Sequence, residues 1–408
     1  MSTGSSKVLV ITQAFPPEMG GNASRMGDSV SYLADDGWET TVVAPQPCYP
    51  PGNFERSWAR HTVEHHHGAE VHRLWTWQPA TADPSFANRM AYYLLFAVHA
   101  LLWTLVHGRR YDVYLCTTPP IFTSIPALAA SVRFRKPLVV DVRDLWIDAA
   151  VGLGFLNREG VATRLSRGYR GFVFRTAARV LTTTDVMRER TAEDHPRVAP
   201  ETLVVVPNGV DTETFSPRER QRDRTVVYIG NVGYMMDFEA AVRSMQYVES
   251  SLRMRFVGDG DRRPDVERLV DELGLGDRIS FHDPVERDEV PDVLSEAMIG
   301  LVPLKPIPSL EYAVPIKVYE YMACKLPIVG TGSGAIETVV EEADTGVLVD
   351  NEPRTLAAAL DALAADPERG ARLGENGFQC ATERYDRRVI SERLSEILQS
   401  VVENSARP

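Results

Sequence analysis

The chain has 408 residues, roughly two to three times the length of a typical domain, so a single small module is excluded and two domains are expected. Hydrophobic residues make up 44% and charged residues 25%, a balance that excludes a disordered or fibrous chain. The 56 acidic residues outnumber the 44 basic ones, and the net charge of −12 argues against nucleic acid as a partner.

Short β-branched apolar runs alternate with helical stretches through the first half of the chain. This alternation is typical of parallel strands covered by helices on both faces, so it predicts an open α/β sheet. The predicted strands of this half are 7–12, 39–45, 70–75, 112–118, 137–142, 179–184 and 202–209.

One segment of the first half departs from this pattern, because residues 91–106 are sixteen residues without a formal charge. A bilayer span needs about 20 apolar residues, so the segment is slightly short. Two interpretations stay open. The helix is either buried in the first domain, or it leaves an apolar face for a membrane surface or a lipid-linked acceptor, with Trp103 and Tyr92 or Tyr93 at the interface.

A polar segment at 216–224 is predicted to be a linker, because four of its nine residues are Arg that cannot be buried unpaired. The strand and helix pattern then restarts, which predicts a second open α/β sheet. Its predicted strands are 225–231, 254–260, 278–283, 299–304, 326–331 and 346–350, and helices are predicted at 355–366 and 387–403.

The first strand runs into a loop with Gly20 and Gly21, before a helix predicted to begin near residues 22–25. A glycine pair lets the backbone approach a ligand closely, and a helix N-terminus presents unpaired N–H groups to an anion. The alternative is a tight turn that needs glycine for its geometry alone. The absence of G-x-G-x-x-G argues against a nicotinamide dinucleotide.

The run 137–150 places Asp141, Arg143, Asp144 and Asp148 at and beyond the carboxyl end of a strand, the edge at which open α/β sheets bind ligands. One interpretation is that Asp144 orients or deprotonates an acceptor hydroxyl. The other is that Arg143 and Asp144 form a structural ion pair at the next helix.

Two strands of the second half end in glycine, at 228–231 and 256–260. Asp259 and Asp261 form a D-x-D pair, which is read as a surface turn rather than a divalent metal site, because no third ligand stands nearby in the sequence. The sequence therefore predicts glycine turns at this sheet edge and no metal.

The segment 308–340 is the most informative stretch, since Pro315 suits the first turn of a helix that carries Lys317 and Glu320. These two residues are three apart and share one helical face near its positive end. A cation with helix N–H groups can hold a diphosphate, and a carboxylate can accept hydrogen bonds from two ribose hydroxyls. The alternative is an ordinary surface salt bridge.

Other polar residues give weaker signals. The four cysteines, Cys48, Cys116, Cys324 and Cys380, lie far apart without a C-x-x-C pair and are expected to be reduced. The run 65–67 is three His before a Gly turn and is read as surface rather than a metal site. No apolar leader precedes residue 7, so a cytoplasmic location is expected.

Taken in order along the chain, these motifs resemble the retaining glycosyltransferases of family 4. The resemblance rests on KVLVITQAFPPEMGGNASR, VVDVRDLW, VVPNGVDTETFSP, YIGN, VGDG, the run 315–329 and GAIETVVEEADTGVLV, and it spans nearly the full length. Within the family the chain looks like the branch that acts on surface polysaccharides and lipid-linked glycans, such as the N-acetylfucosaminyl transferases.

The resemblance implies the GT-B fold, an α/β architecture of two Rossmann-like doubly wound domains facing across a cleft. The implied domains are 1–215 for the acceptor, 216–385 for the nucleotide sugar, and a terminal helix at 386–408 that crosses back to the first domain. Carried over by motif, Gly20 and Gly21 face the diphosphate and transferred sugar, Glu320 binds the ribose, and Gly230 lies near the phosphates.

The chain departs from the family pattern at two places. Eight positions before Glu320 stands Tyr312, and Glu311, one residue further back, is the candidate to recognise the sugar hydroxyls. After the YIG strand, Asn231 and Asp237 occupy the region where members carry Arg and Lys. Another cation must therefore neutralise the diphosphate. Lys317 is the candidate, with Arg25 or Arg262 assisting.

The leading hypothesis is retaining transfer of a sugar from a nucleotide diphosphate sugar, with a UDP-sugar favoured, to a hydroxyl of a glycan or polyprenyl-linked acceptor. No cofactor and no essential metal are expected. The assigned roles are Lys317 on the diphosphate, Glu320 on the ribose, Asp144 near the acceptor, and Gly20, Gly21, Arg25, Gly230 and Asn231 around the donor. The rival hypotheses are a nucleotide-sugar 2-epimerase of the same fold and a noncatalytic sugar-nucleotide binding protein.

Overall fold

The computed structural model describes residues 5–18, 20–49, 54–79, 85–152 and 156–406. These residues form two compact units. The first unit holds the described residues up to Val151, Leu156–Asn208 and everything from Arg387 onward, and the second holds Gly152 and Gly209–Asp386.

The first unit is built on one eight-stranded sheet, in the order β3-β4-β2-β1-β5-β6-β7-β8. All neighbours pair in parallel except β3 with β4, which are antiparallel. The strands are β1 Lys7–Ile11, β2 Glu39–Pro45, β3 His61–His66, β4 Ala69–Leu74, β5 Val113–Thr118, β6 Leu138–Val142, β7 Arg179–Thr182 and β8 Leu203–Val205.

Helices cover this sheet because its central strands are apolar on both faces. Val8, Leu9, Val10 and Ile11 of β1 are all fully buried, which is the pattern of a parallel strand with helices on either side. The helices are α1 Gly21–Asp35, α2 Phe86–His107, α3 Ser124–Phe134, α4 Trp146–Gly152, α5 Val161–Thr176 and α6 Asp185–Asp194.

The apolar segment at 91–106 lies in α2, and neither sequence interpretation describes it completely. Tyr92, Phe96 and Trp103 are buried against the first unit, whereas Leu102 and Val106 are exposed. Among the described helices, one stretch, Ala87–Arg110, is long and apolar enough to cross a membrane by length and composition. A third of its most apolar window is buried inside the protein.

The second unit is a six-stranded sheet in which all described pairs are parallel. Its order is β11-β10-β9-β12-β13-β14, which is the 3-2-1-4-5-6 order of doubly wound nucleotide-binding folds. The strands are β9 Thr225–Ile229, β10 Arg253–Val257, β11 Ile279–His282, β12 Ile299–Pro303, β13 Ile328–Thr331 and β14 Gly346–Leu348.

Among the described residues, five α-helices connect these strands and two more follow the last strand. In this fold the strand order reverses between β9 and β12, and ligands bind beyond the carboxyl ends of the strands at such a point. The helices are α7 Phe238–Ser244, α8 Arg263–Glu272, α9 Val290–Glu296, α10 Ile316–Ala323, α11 Ala335–Glu337, α12 Pro353–Ala365 and α13 Pro367–Cys380.

The terminal helix, α14 Arg387–Ala406, packs on α1 in the first unit. Its apolar face, which includes Leu394 and Leu398, joins the core formed by β1 and α1. The indole Nε1 of Trp38 donates to Ser395 Oγ at 2.9 Å.

The Arg-rich segment at 216–224 is irregular, but it is attached to the second unit. The Arg218 N–H donates to Ser295 Oγ at 2.9 Å, and Arg220 pairs with Asp292 at 2.7 Å. The division between units accordingly falls at Gly209 rather than at residue 216. Exposed ion pairs let these Arg side chains stay hydrated while the backbone is held.

Candidate functional site

Two glycine turns follow the neighbouring strands β9 and β10 in the second unit. Gly230 has φ +111° and Gly258 has φ +135°, both in the region that side chains disfavour. The Gly230 N–H donates to the Val257 carbonyl at 2.9 Å. A β-carbon on Gly258 would overlap the Gly230 carbonyl, so glycine is required for the two turns to touch.

Lys317 lies directly behind the Gly230 turn. Its Nζ is 3.4 Å from the centroid of the Tyr228 ring, and a β-carbon on Gly230 would lie 3.4 Å from the same Nζ. The residue is only 8% exposed, whereas Gly230 and Asn231 are exposed. An anion that approaches the Gly230 backbone from solvent therefore meets an ammonium group just beneath the surface.

The environment of Lys317 disfavours its charge when the site is empty of anions. Burial lowers the pKa of Lys317 to about 7, and the Glu320 carboxylate raises that pKa by a smaller amount. Among the described residues, Lys317 forms no ion pair within 4 Å. The tyrosine face supplies a cation–π contact, which is weaker than an anionic partner. A bound anion would supply the missing compensation.

Helix α10 sets the relative positions of Lys317 and Glu320. The helix begins after Pro315, no side chain caps its first turn, and the Val318 N–H donates to the Pro315 carbonyl at 3.0 Å. Glu320 is half-buried, one turn after Lys317. Lys317 is the second residue of this eight-residue helix and lies at its positive end, whereas Glu320 is the fifth residue and lies further along the helix.

Glu311 lies beside the turn at Gly334, in the same unit as Lys317 and Glu320. Its carbonyl accepts from the Ala335 N–H at 2.7 Å, and its side chain is half-buried. A β-carbon on Gly334, where φ is +79°, would overlap that carbonyl. Tyr312, which stands eight positions before Glu320 where the family pattern has Glu, is buried in the core. Glu311 is the more accessible of the two side chains.

The polar residues after β9 have local structural partners. The Tyr228 hydroxyl donates to the Asn231 carbonyl at 2.5 Å, which holds the turn beside Lys317. Asp237 caps α7 by accepting from the Ala240 N–H at 3.1 Å, and Asn351 Nδ2 donates to its other oxygen at 2.7 Å. Asp237 is therefore occupied in holding the fold.

The second unit also contains a polar cavity of about 390 Å³ between α7 and α8. Arg262, Asp265 and Lys305 are among its lining residues, and Arg262 pairs with Asp265 at 3.1 Å. Lys317 and Glu320 do not line this cavity. Arg262, named as an assisting cation, is thus placed with Lys305 rather than with Lys317.

In the first unit, Gly20 and Gly21 are exposed at the start of α1. The Tyr49 ring lies beside Gly20, 3.9 Å from where a β-carbon would stand. Glu18 anchors this arrangement, because its carboxylate accepts from the Cys48 and Tyr49 N–H groups at 2.9 and 3.2 Å. Burial raises the pKa of Glu18.

Sequence reasoning missed Tyr49 and Glu18. Their only sequence signal is that both lie in loops that follow β1 and β2, at the carboxyl edge of the sheet. The aromatic ring beside the glycine pair adds an apolar surface of the kind that packs against sugar rings.

Arg25 has a different environment from the one expected of a donor ligand. The side chain is 1% exposed, and its guanidinium donates to the carbonyls of Val206, Pro207 and Asn208. The distances to the Asn208 and Val206 carbonyls are 2.9 and 3.3 Å. Arg25 therefore positions the loop at 206–208, directly after β8.

Arg143 pairs with Asp141 rather than with Asp144. Its Nε donates to Asp141 Oδ2 at 2.7 Å, a second bond joins the same two groups, and its third nitrogen donates to Asn208 Oδ1 at 3.2 Å. Burial, with the charges of Arg25 and Arg387, holds the pKa of Arg143 well below its usual value. The pair is a buried structural element at the end of β6.

Asp144 is half-buried and lines a small cavity of about 30 Å³ with Thr118, Ser124 and Phe174. A cavity of this size admits about one water molecule. Asp148 is held elsewhere, since it pairs with Arg170 at 2.8 Å and with Arg167 at 2.6 Å. The Arg143 guanidinium and the Asp148 carboxylate thus both have structural partners other than Asp144.

No cluster of three or more His, Cys, Asp or Glu with metal-binding geometry occurs among the described residues. His65 and His66 end β3, the antiparallel edge strand, and His67 has φ +44° in the turn that follows. The triple His is thus part of a hairpin.

Two family models match the chain in tandem. The first, described as a glycosyl transferase 4-like domain, matches residues 20–209, and the second, glycosyl transferases group 1, matches residues 223–366. The two matches fall in the first and second units respectively.

Curated relatives with similar sequences carry related names. A D-inositol 3-phosphate glycosyltransferase of Xylanimonas cellulosilytica is 31% identical over 44% of this chain and 47% of its own length. A GDP-mannose-dependent alpha-(1-6)-phosphatidylinositol monomannoside mannosyltransferase of Mycolicibacterium smegmatis is 25% identical over 70% of this chain and 84% of its own. The chain thus spans about half the length of the first of these relatives.

The fold matches solved structures over nearly the whole chain. The Anabaena protein HepE, crystallised with UDP-glucose, has a TM-score of 0.72 at 17% identity and covers 97% of this chain and 99% of its own. The fold prediction is confirmed by this likeness and by the two doubly wound sheets. The chain therefore has the fold of the GT-B glycosyltransferases, and it matches a glycosyl transferase 4-like domain followed by a glycosyl transferases group 1 domain.

Proposed function

We propose that the protein transfers a sugar from a nucleotide diphosphate sugar to a hydroxyl of a glycan or polyprenyl-linked acceptor, with retention of anomeric configuration. The observation that carries the proposal is the buried Lys317 ammonium beneath the exposed Gly230 turn. A site that holds a cation without an ion-paired carboxylate is built to receive an anion. The names of the relatives support the same class of reaction.

In this proposal Lys317 acts on the leaving group. Negative charge grows on the diphosphate as the bond between the sugar and the phosphate breaks, and a fixed cation stabilises that charge. The first turn of α10 adds the positive end of a helix dipole. Glu320 accepts hydrogen bonds from the hydroxyl groups of the ribose, and Glu311 accepts them from hydroxyls of the transferred sugar. The backbone at Gly230 and Asn231 lies next to the phosphates.

The first unit supplies the acceptor side of the proposal. Gly20 and Gly21 leave room for the sugar, and the half-buried Asp144 orients the acceptor hydroxyl. Arg25 contributes by fixing the loop at 206–208 instead of binding phosphate. The reaction is proposed to need neither a metal nor a cofactor, because Lys317 and the helix dipole supply the positive charge. We further propose that the acceptor lies at the cytoplasmic face of a membrane.

A donor panel tests this function. We expect one of the UDP-, GDP-, ADP- or TDP-sugars, with UDP-sugars favoured, to raise the unfolding temperature, since a ligand of the native state stabilises it by mass action. Nucleotide release from that donor should then require an acceptor. Release without an acceptor, together with a changed sugar, would indicate an epimerase. Binding without release in the presence of a membrane extract would indicate a noncatalytic protein.

Donor affinity should depend on pH through Lys317. The pKa of this residue is about 7 in the free protein, and a bound diphosphate should raise it, so binding above pH 7 takes up a proton. We expect the association constant to be constant below about pH 7 and to fall by up to about ten-fold per pH unit above it.

Calorimetric titration with an intact nucleotide sugar measures this dependence, because its diphosphate is esterified at both ends and keeps a constant charge. The matched control is Lys317→Met, which should bind weakly with an affinity that is independent of pH. A wild-type affinity that stays flat from about pH 6.5 to about pH 8.5, a window that spans the Lys317 pKa of about 7, would place the diphosphate away from Lys317.

A further inference from the structure

The outward face of α2 is apolar from residue 94 to residue 106. From residue 94 to residue 106, every position of the helix that is exposed carries an aliphatic side chain, with exposed fractions between 40% and 75%. A helix on the surface of a globular protein ordinarily carries charged or polar side chains at such positions. The exposed residues are Leu94, Leu95, Val98, Leu102, Leu105 and Val106.

The opposite face of α2 is part of the first unit's interior. Tyr92, Phe96, Ala100 and Trp103 are buried, and the Tyr92 carbonyl accepts from Thr76 Oγ1 at 2.6 Å. The helix is long enough to cross a bilayer, but crossing would remove these side chains from their contacts. An apolar half-face on an anchored helix fits the plane of an interface instead.

Two further helices of the first unit also carry exposed apolar side chains. Helix α3 packs against both α2 and α5. On α3, Val132 is exposed, and on α5, Val161, Leu165 and Phe172 are exposed. The exposed apolar residues of these three helices are called the α2–α3–α5 face below.

The charged side chains on the three helices that carry this face are all basic or His. Helices α2, α3 and α5 are 22, 11 and 16 residues long and contain no Asp or Glu, although 56 of the 408 residues in the chain are acidic. Gly108, just after α2, contacts Phe134 at the end of α3, so the ends of the two helices meet.

Four exposed arginines surround that meeting point, and none of them forms an ion pair among the described residues. The nearest carboxylate in sequence, Asp112, pairs with Lys136 at 3.3 Å. The four residues are Arg109, Arg110, Arg133 and Arg135.

We propose that the α2–α3–α5 face docks on the surface of an anionic phospholipid bilayer. Aliphatic side chains enter the boundary between headgroups and acyl chains, while the four arginines contact lipid phosphates. Charge complementarity selects this occupant, because a protein of net charge −12 has concentrated four exposed arginines at the C-terminal ends of α2 and α3. One of them, Arg110, donates to the Tyr111 hydroxyl, and none of the four forms an ion pair among the described residues. The inference goes beyond the transfer chemistry and does not depend on Lys317.

Vesicle sedimentation of the full chain tests the docking. We expect binding to vesicles of phosphatidylcholine with phosphatidylglycerol, and little binding to phosphatidylcholine alone. Leu102→Asp combined with Val106→Asp should lower the partition coefficient at least about ten-fold. The matched control is Val389→Asp on α14, a similarly exposed valine away from the face, which should bind as wild type does.

The arginines are tested by changing all four to Gln. Each cation near an anionic surface contributes about five-fold, so we expect a loss of more than about 100-fold that shrinks as salt is added. The control changes four exposed arginines of the second unit, Arg268, Arg354, Arg369 and Arg372, to Gln and gives the same net charge. It should leave binding unchanged.

Three outcomes would overturn the proposal. They are equal binding to neutral and anionic vesicles, unchanged binding in both sets of face variants, and a dimer in solution that Leu102→Asp dissociates, since a second copy would then occupy the face. Donor binding measured without vesicles should be unchanged in every face variant. Failure of the docking and failure of the transferase assignment are therefore distinguishable.

Discussion

Replacing Lys317 by Met is expected to lower the rate of sugar transfer about 100-fold, the scale observed when one group that stabilises developing charge is removed. Methionine has nearly the length of lysine and no charge, so it fills the space against the Tyr228 ring without the ammonium. Affinity for the intact nucleotide sugar should fall as well, because the cation faces the diphosphate in the ground state.

The stability of Lys317→Met separates a lost function from a damaged fold. The folded-state pKa of Lys317 is about 7 and lies below its usual value of 10.5, so the protonated residue destabilises the fold below about pH 7. That cost vanishes as the pH rises toward the unfolded-state pKa. At about pH 6, below the folded-state pKa of Lys317, we therefore expect the variant to unfold at the same temperature as wild type or at a higher one.

Steady-state assays with saturating acceptor measure the effect, and Lys325→Met is the control. Lys325 follows the same helix but forms a partly exposed pair with Glu375 at 2.7 Å, so its replacement should leave the rate within about two-fold. Full activity in Lys317→Met would remove the central element of the proposed mechanism.

Replacing Asp141 by Ala is expected to be the most destabilising single change in the first unit, at about 3–5 kcal/mol. Asp141 is buried and holds Arg143 through two hydrogen bonds. Its removal leaves the buried Arg143 charge beside Arg25 and Arg387, whose fields already lower the pKa of Arg143. Asn208, at the end of the unit, would be the remaining partner of the Arg143 guanidinium.

Urea unfolding followed by tryptophan fluorescence measures this change, and a second substitution tests its cause. If an uncompensated charge is responsible, Asp141→Leu with Arg143→Met should recover most of the lost stability, because an apolar pair replaces a buried ionic one. Asp185→Ala is the control, since its exposed pair with Arg188 should contribute at most about 1 kcal/mol. Equal losses for Asp141→Ala and Asp185→Ala would contradict the argument.

The strands were predictable because burial on both faces leaves a local signal. Thirteen predicted runs correspond to strands in the described residues, and β3 was missed as a separate strand. β3 is an antiparallel edge strand whose side chains are mostly exposed, so it lacks the apolar run that identifies the others. The segment at 216–224 was predicted to be a linker because a run of exposed arginines has the same sequence pattern in a free linker as in a segment bound to a domain. Here hydrogen bonds and ion pairs attach the segment to the second unit.

The sequence by itself determined the two α/β units, the glycine turns after β9 and β10, and the placement of Lys317 and Glu320 on one helix. These features depend on residue spacing and backbone conformation, which are local. Tertiary structure alone decided that Lys317 lies against Tyr228, that Arg143 pairs with Asp141 and Asn208, and that α2 keeps one face exposed. The physical reason is that burial and charge compensation depend on neighbours distant in sequence, and the same lysine is a surface ion pair or a poised cation according to what packs around it.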